Sequence, residues 1–319
     1  MMKSVLNKEM SLHGEFIPVQ SKEQVWANLA MIAVIIFWGI SYVSIKVAVI
    51  EVPPITMALI RFAIASLMLG IMIRRVEPQS KLDKLDLPKM ILGGIFGITL
   101  YFIFENIGVK FSTATNASLI VSVVPIITIL LDVLFFHSKL SFLKLLGVFV
   151  AIWGSYLAVT ANGKLELNSA HFLGNLLMIC AMMSWAFFTM VNKSLQKKYS
   201  GLFLTTYQTI FGTLFFIPLS LLEYKDWHMF SLTALANILF LAVFCSFAGY
   251  LFYTYALKRL DVALTTIYLN LIPVVGVISG YLILNEHVLP IQLVGGLITL
   301  LAIVIINLEL AALRRRRVS

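Results

Sequence analysis

Very few residues of this 319-residue chain can carry charge inside its long apolar runs, and Lys46, Arg61, Glu105 and Lys193 stand out. An ionised side chain at membrane depth costs roughly 2.5–3.5 kcal/mol on insertion scales, so each needs water or a partner. Arg61 and Glu105 lie at similar depths below the ends of their runs, and an ion pair across a cavity mouth is expected. That pair reads in two ways. It is a brace fixing two helices, or a working couple in which Glu105 titrates or Arg61 receives a substrate carboxylate. Lys46 and Lys193 sit near opposite ends of their runs. Each reads as an apolar stem carrying its ammonium out to the headgroups, or as half of a symmetric gate.

Uncharged groups extend the candidate site. Tyr101 and Glu105 share a helix face at i, i+4, and Ser246, Tyr250 and Tyr253 are spaced similarly. With Trp38, Tyr42, Trp185 and Tyr268, these rings can line a cavity for an apolar or aromatic solute, or else serve packing and interfacial anchoring. Asn116 and Gln208 complete the candidate substrate-binding set. Asn116, Ser122, Thr265, Thr266 and Asn270 place polar groups on two runs that contain Pro125 and Pro273. A proline within a helix frees a carbonyl and permits a kink, so both prolines are hinge candidates.

Catalysis has no comparable foothold. All five histidines fall in loops, tails or run ends, and no HExxH, GxSxG or nucleotide-binding loop occurs. No catalytic residue, metal site or cofactor is expected. Cys180 and Cys245 lie within apolar runs and read as buried free thiols.

These groups must be positioned by membrane-spanning helices. The composition is 60% hydrophobic and 12% charged, against about a quarter charged in ordinary soluble domains. A span needs roughly 20 mostly apolar residues. Ten runs qualify, at about 26–48, 54–73, 90–108, 113–135, 142–161, 172–191, 202–222, 233–257, 262–284 and 289–313. The loops between them are too short for a soluble domain. Lys and Arg concentrate in one alternate set of loops and in both tails, against only Lys110, Lys164 and Lys225 in the other loops. That asymmetry predicts a multi-pass protein of the cell membrane with both termini cytoplasmic. Arg314–Arg317 reads as an anchor to anionic headgroups, and the net charge of +9 does not point to nucleic acid. No removable signal peptide is evident.

The two halves repeat. Trp38 aligns with Trp185 and Lys46 with Lys193 at an offset of 147; Arg61 then faces Gln208. From the fourth run the offset is 148, matching Pro125 with Pro273, Ser138 with Glu286 and Gly147 with Gly295; at the same offset Glu105, in the third run, faces Tyr253. Five helices per half is an odd number, so the copies must cross in opposite directions, as in alternating-access transporters. The expected fold is all-α integral membrane, with ten transmembrane helices as two inverted five-helix repeats. Its parts are a tail at 1–25, repeats at 26–161 and 172–313, an external linker at 162–171 and a basic tail at 314–319. Gly93-Gly94-x-x-Gly97, Gly147-x-x-x-Ala151 and Gly276-x-x-x-Gly280 read as close-packing surfaces.

FWGISYVSIK, RFAIA and ENIGVKFSTATNASLIVSVVP in the first half, with YALKRLDVALTTIYLNLIPV and LNEHVLPIQLVGGLITLLAI in the second, resemble the EamA-type branch of the drug/metabolite transporter superfamily. The resemblance implies inverted repeats around a central cavity and export or exchange of small metabolites, often amino acids. One departure is visible: the acidic residue of the turn before each half's last helix is present as Glu286 but replaced by Ser138 in the first half. Expected partners are a small-molecule solute and the lipid bilayer, with room for protons as coupling ions and for a homodimer. A receptor or scaffold without transport, and a multidrug or nucleotide-sugar carrier, are the competing readings.

Overall fold

A computed structural model describes residues 22–136, 142–159, 170–260, 265, 268–302 and 304. Residues 1–21, the turn His137-Ser138-Lys139, most of the 162–171 linker, Thr266, the basic tail and the side chains of Pro125 and Asp132 lie outside the described residues. Regular structure among the described residues is helical throughout. We number the helices α1 (Lys22–Glu51), α2 (Pro54–Val76), α3 (Lys84–Phe111), α4 (114–136), α5 (Phe142–Val159), α6 (Ala170–Leu195), α7 (Gly201–Asp226), α8 (Leu232–Leu257), α9 (Ile272–Leu284) and α10 (Pro290–Ala302).

Six of them, α1, α2, α3, α6, α7 and α8, are long and apolar enough to cross a membrane; the described apolar stretches of the other four are shorter. Proline explains two of these. In α4 the helix Ala114–Ile120 gives way to a 3-10 turn at Val121–Val123 before restarting at Val124. Before α9 the chain turns at Asn270 and Leu271, and Pro273 occupies the first turn of the restarted helix. A proline is tolerated there because the N–H it lacks has no intrahelical partner in any case.

Packing is set by where backbones can approach. A Cβ on Gly94 would stand 2.9 Å from the Gly212 nitrogen, and one on Gly174 would stand 2.8 Å from the Gly108 oxygen. Glycine is therefore required where α3 crosses α7 and α6. The most extensive contacts are α3 with α6, α1 with α8, α3 with α7, α2 with α7 and α1 with α9. Exchanging each helix with the one five places along maps these pairs onto pairs that also pack. Ser66 Oγ and Thr213 Oγ1, 147 positions apart, meet at 3.0 Å.

Helix ends are satisfied by carboxylates from neighbouring helices. Glu223 accepts from the N–H groups of Ile55 (3.1 Å) and Thr56 (2.7 Å) at the start of α2. Glu77, just past the end of α2, accepts from the N-cap hydroxyl of Ser200 at the start of α7. Asn285 closes α9 in the left-handed conformation (φ 52°), a role asparagine tolerates. The turn it makes delivers Glu286 to α4, where the carboxylate accepts from Ala114 N (2.8 Å) and Thr115 N (2.9 Å). The main core gathers Met57, Phe62, Phe102, Met178, Met182 and Phe216. Large apolar side chains such as Leu67, Leu134, Phe149 and Leu282 face outward, an exposure that suits lipid rather than water.

Candidate functional site

A cavity of about 240 Å³ lies where α1, α2, α3, α6 and α8 meet the breaks of α4 and α9. At about 30 Å³ per water, it has room for roughly eight water molecules or one small solute. Six aromatic rings stand in its walls. Trp38 and Tyr42 come from α1, Tyr101 and Phe102 from α3, Trp185 from α6 and Tyr250 from α8. The Trp38 ring lies 5.6 Å from Tyr250, and the Trp185 ring lies 5.3 Å from Tyr101. Each tryptophan thus packs on a tyrosine carried by the helix it crosses.

Two π-helical stretches aim these groups: 95–100 in α3, just before Tyr101, and 241–248 in α8, just before Tyr250. Such widened turns rotate everything that follows them and are frequent at functional sites. The indole Nε1 of Trp38 donates to the Cys245 carbonyl within the second stretch at 3.0 Å.

Charge enters from two sides. Arg61, 4% exposed, donates from Nε to Ser246 Oγ at 2.8 Å. Its guanidinium lies 4.5 Å from the Phe102 ring centroid and 4.9 Å from that of Phe62. One terminal nitrogen, Nη1, is buried without a hydrogen-bond partner. Glu105, 3% exposed, accepts from the Tyr101 hydroxyl at 2.9 Å. Both line the cavity, but they form no ion pair within 4.0 Å, contrary to the expected direct contact. The break before α9 adds Asn270, which lines the cavity and whose Nδ2 is also buried and unpartnered. A buried donor without a partner is costly. Both of them share the cavity lining with the buried carboxylate of Glu105.

Of the residues expected to bind substrate, Trp38, Tyr42, Arg61, Tyr101, Glu105, Trp185 and Tyr250 line this cavity, as does the hinge candidate Pro273. The other four stand elsewhere. Tyr253 stacks behind Trp38, with centroids 5.5 Å apart. Tyr268 donates to Asn28 at 3.0 Å. Asn116 accepts from Gln292 at 2.7 Å. Gln208 donates to Asn192 at 2.6 Å and packs where Gly93 leaves space. Pro125 lies in the first turn after the α4 break. Lys46 does not reach for headgroups. Its ammonium donates to the carbonyls of Val109 (3.0 Å), Lys110 (2.9 Å) and Ser112 at the end of α3. Lys193 is exposed in the last turn of α6. Ser41, Met182 and Cys245 line the cavity without having been singled out for it; serine and methionine at helical spacing carry no signal separating lining from packing.

The comparisons with known proteins agree with this architecture. A transporter of Archaeoglobus fulgidus, named as uncharacterized, is 29% identical over 287 residues, covering 88% of this chain and 98% of its own. A second from the same organism is 30% identical over 278 residues, covering 86% and 94%. A probable terminal-alkyne amino-acid exporter of Streptantibioticus cattleyicolor is 26% identical over 298 residues, covering 91% and 95%. One solved crystal structure superposes with a TM-score of 0.65 at 14% identity, over 89% of this chain and 98% of that one, a likeness of fold. The pattern of the EamA-like transporter family matches twice, at residues 25–160 and 172–308. With both halves matched, the chain belongs to the EamA-like transporter family and is a multi-pass membrane transporter rather than an enzyme.

Proposed function

We propose that the chain is a secondary transporter exporting amino acids or closely related small zwitterions by alternating access. One observation carries this reading: the aromatic cavity holds two buried, unpartnered donors and, separately, a buried carboxylate. A solute carboxylate suits Arg61 and Asn270, an ammonium suits Glu105, and an apolar side chain suits the rings. The named amino-acid exporter among the relatives supports the class of solute and the direction. A nucleotide sugar would need more cationic groups than Arg61 alone supplies.

The moving parts are two inverted five-helix repeats, residues 26–161 and 172–313, with both termini on the cytoplasmic side. The twofold family match, the exchange relation among packed helix pairs and the loop charge asymmetry support that arrangement. The breaks of α4 and α9 border the cavity and serve as hinges. Glu105 carries a proton in exchange for the solute, a role that its burial in the cavity lining supports.

The test is flux from proteoliposomes loaded in turn with a panel of amino acids, under an imposed pH gradient. A charge-assisted hydrogen bond is worth roughly 1.5–3 kcal/mol, and tenfold in affinity is about 1.4 kcal/mol. Arg61→Gln is therefore expected to weaken transport about tenfold or more. Glu105→Gln should remove the dependence on the pH gradient while exchange persists at weakened solute affinity; unchanged pH dependence sinks the proton role. No saturable flux for any solute favours a receptor or scaffold.

A further inference from the structure

A second, larger recess of about 640 Å³ lies on the outer surface of the bundle, away from the central cavity. It runs between the first turns of α1 and the last turns of α2 and α8. Trp26, Leu29 and Ala33 form one wall, and Val76, Leu251 and Phe252 face them. Trp26, Leu29, Val76 and Phe252 are also exposed on the outer surface, so the recess opens sideways, where a membrane protein meets acyl chains rather than water.

Its rim is basic. Lys258 and Arg259 close the end of α8, and Lys22 lies one helical turn before Trp26 on the same face of α1. The Arg259 guanidinium stacks 3.9 Å from the Tyr255 ring centroid. Its Nε stands 3.4 Å from Glu23 and has no hydrogen-bond partner although buried. The one carboxylate lining the recess, Glu77, is held by the hydroxyls of Ser200 and Ser80. All of this sits on the Lys- and Arg-rich side of the protein. An apolar slot open to the bilayer, under a cationic rim at headgroup level, matches one ligand chemistry.

We propose that this recess is a binding site for an acidic phospholipid, with its phosphate at Lys258 and Arg259 and one acyl chain between α1, α2 and α8. A juxtamembrane cation is worth about fivefold in binding to an anionic lipid, so roughly thirtyfold for the pair.

The test uses the purified full-length protein in mixed micelles, titrated with phosphatidylglycerol or phosphatidylcholine of identical acyl chains. Native mass spectrometry counts retained lipid, and thermal unfolding reads the stabilisation. Wild type should retain phosphatidylglycerol selectively and be stabilised by it. Lys258→Gln with Arg259→Gln should weaken phosphatidylglycerol about thirtyfold and leave phosphatidylcholine unchanged, while Lys225→Gln, among the opposite loops, should change neither. Ala33→Phe, which fills the slot, should lose retained lipid of both kinds. Equal retention of the two lipids by wild type, or a preference that survives the double substitution, overturns the proposal. So does equal stabilisation by free glycerol phosphate, which would show a headgroup site without the slot. Phosphatidylglycerol binding that appears only once residues 1–21 are deleted would assign the recess to the chain's own tail and refute a lipid occupant.

Discussion

Glu286→Ala tests whether the turn after α9 works as a brace for α4. The Glu286 carboxylate takes two backbone N–H groups at the start of α4, at 2.8 and 2.9 Å, from residues that are themselves buried. On the same stretch, Lys46 donates to three carbonyls at the end of α3. Opposite charges thus meet the two helix ends that the α3–α4 turn joins, each with the sign the helix dipole favours. Glu286 is partly exposed, so the lower end of the range for charged hydrogen bonds applies, about 1.5 kcal/mol for each of two bonds, or about 3 kcal/mol in all. Gln keeps one acceptor oxygen without the charge and should lose about half. For a chain of this size, 1 kcal/mol moves the melting temperature by roughly 1.5 °C. The melting temperature of the purified protein should therefore fall by about 4.5 °C for Ala and about 2 °C for Gln, with the exposed neighbour variant His287→Ala near zero. A Glu286→Ala protein that melts with the His287→Ala control would refute the brace. Because α4 leads directly into Val121 and Ser122 at the cavity, transport should decline in the same order.

Gly174→Ala is expected to be among the more damaging small substitutions. Its Cβ would meet the Ser112 nitrogen at 2.6 Å and the Gly108 oxygen at 2.8 Å, backbone atoms that cannot rotate away. A cost of about 1–3 kcal/mol or more should appear as a lower melting temperature, whereas Gly70→Ala, with open space around it, should be neutral or slightly stabilising. Where the α2–α3 loop enters α3, hydrogen bonds from Lys198 hold the carboxyls of Asp83 and Asp86 below the usual carboxylate range, Tyr199 adding to the second. A lowered carboxyl stabilises above its unfolded pKa, about 4, and that contribution fades as pH falls through the folded value. Hydrogen-exchange protection factors at 83–86 should thus hold down to about pH 4 and drop below it. Lys198→Gln should be unprotected already at neutral pH, with no acid step; an acid step retained in that variant would exclude Lys198 as the cause.

Much of the architecture was legible because apolar runs, prolines and turn residues act locally. The breaks of α4 and α9 fall beside the prolines that announced them, and Tyr101 bonds Glu105 at the i, i+4 spacing read from the chain. Azimuth was not legible. Counting depth along two runs put Arg61 and Glu105 at one level, but depth does not say which way a side chain points. The π stretches at 95–100 and 241–248 turn the following residues by an amount that no residue pattern reveals. Arg61 therefore meets Ser246 rather than Glu105. Nor does apolar periodicity show that a lysine near a helix end will find bare carbonyls closer than headgroups, as Lys46 does.

The duplicated halves explain what the cavity became. The tryptophans that the halves share also share a role: Trp38 packs on Tyr250, and Trp185 on Tyr101. Where they differ, the two positions separate. Arg61 enters the cavity, while Gln208 at the matching position turns to Asn192 in the tight α3–α7 crossing made by Gly93 and Gly94. Glu105 enters it, while Tyr253 retreats behind Trp38. Both buried charges thus come from the first half, and the second supplies mainly rings, a hydroxyl partner for Arg61 and the Asn270 amide. For the proposed zwitterionic solute, a cavity polarised this way favours one orientation only. Moving the charge across the pseudo-symmetry, as Arg61→Gln with Gln208→Arg, should fail to restore transport, because the space at position 208 is filled by the helix crossing that the glycines permit.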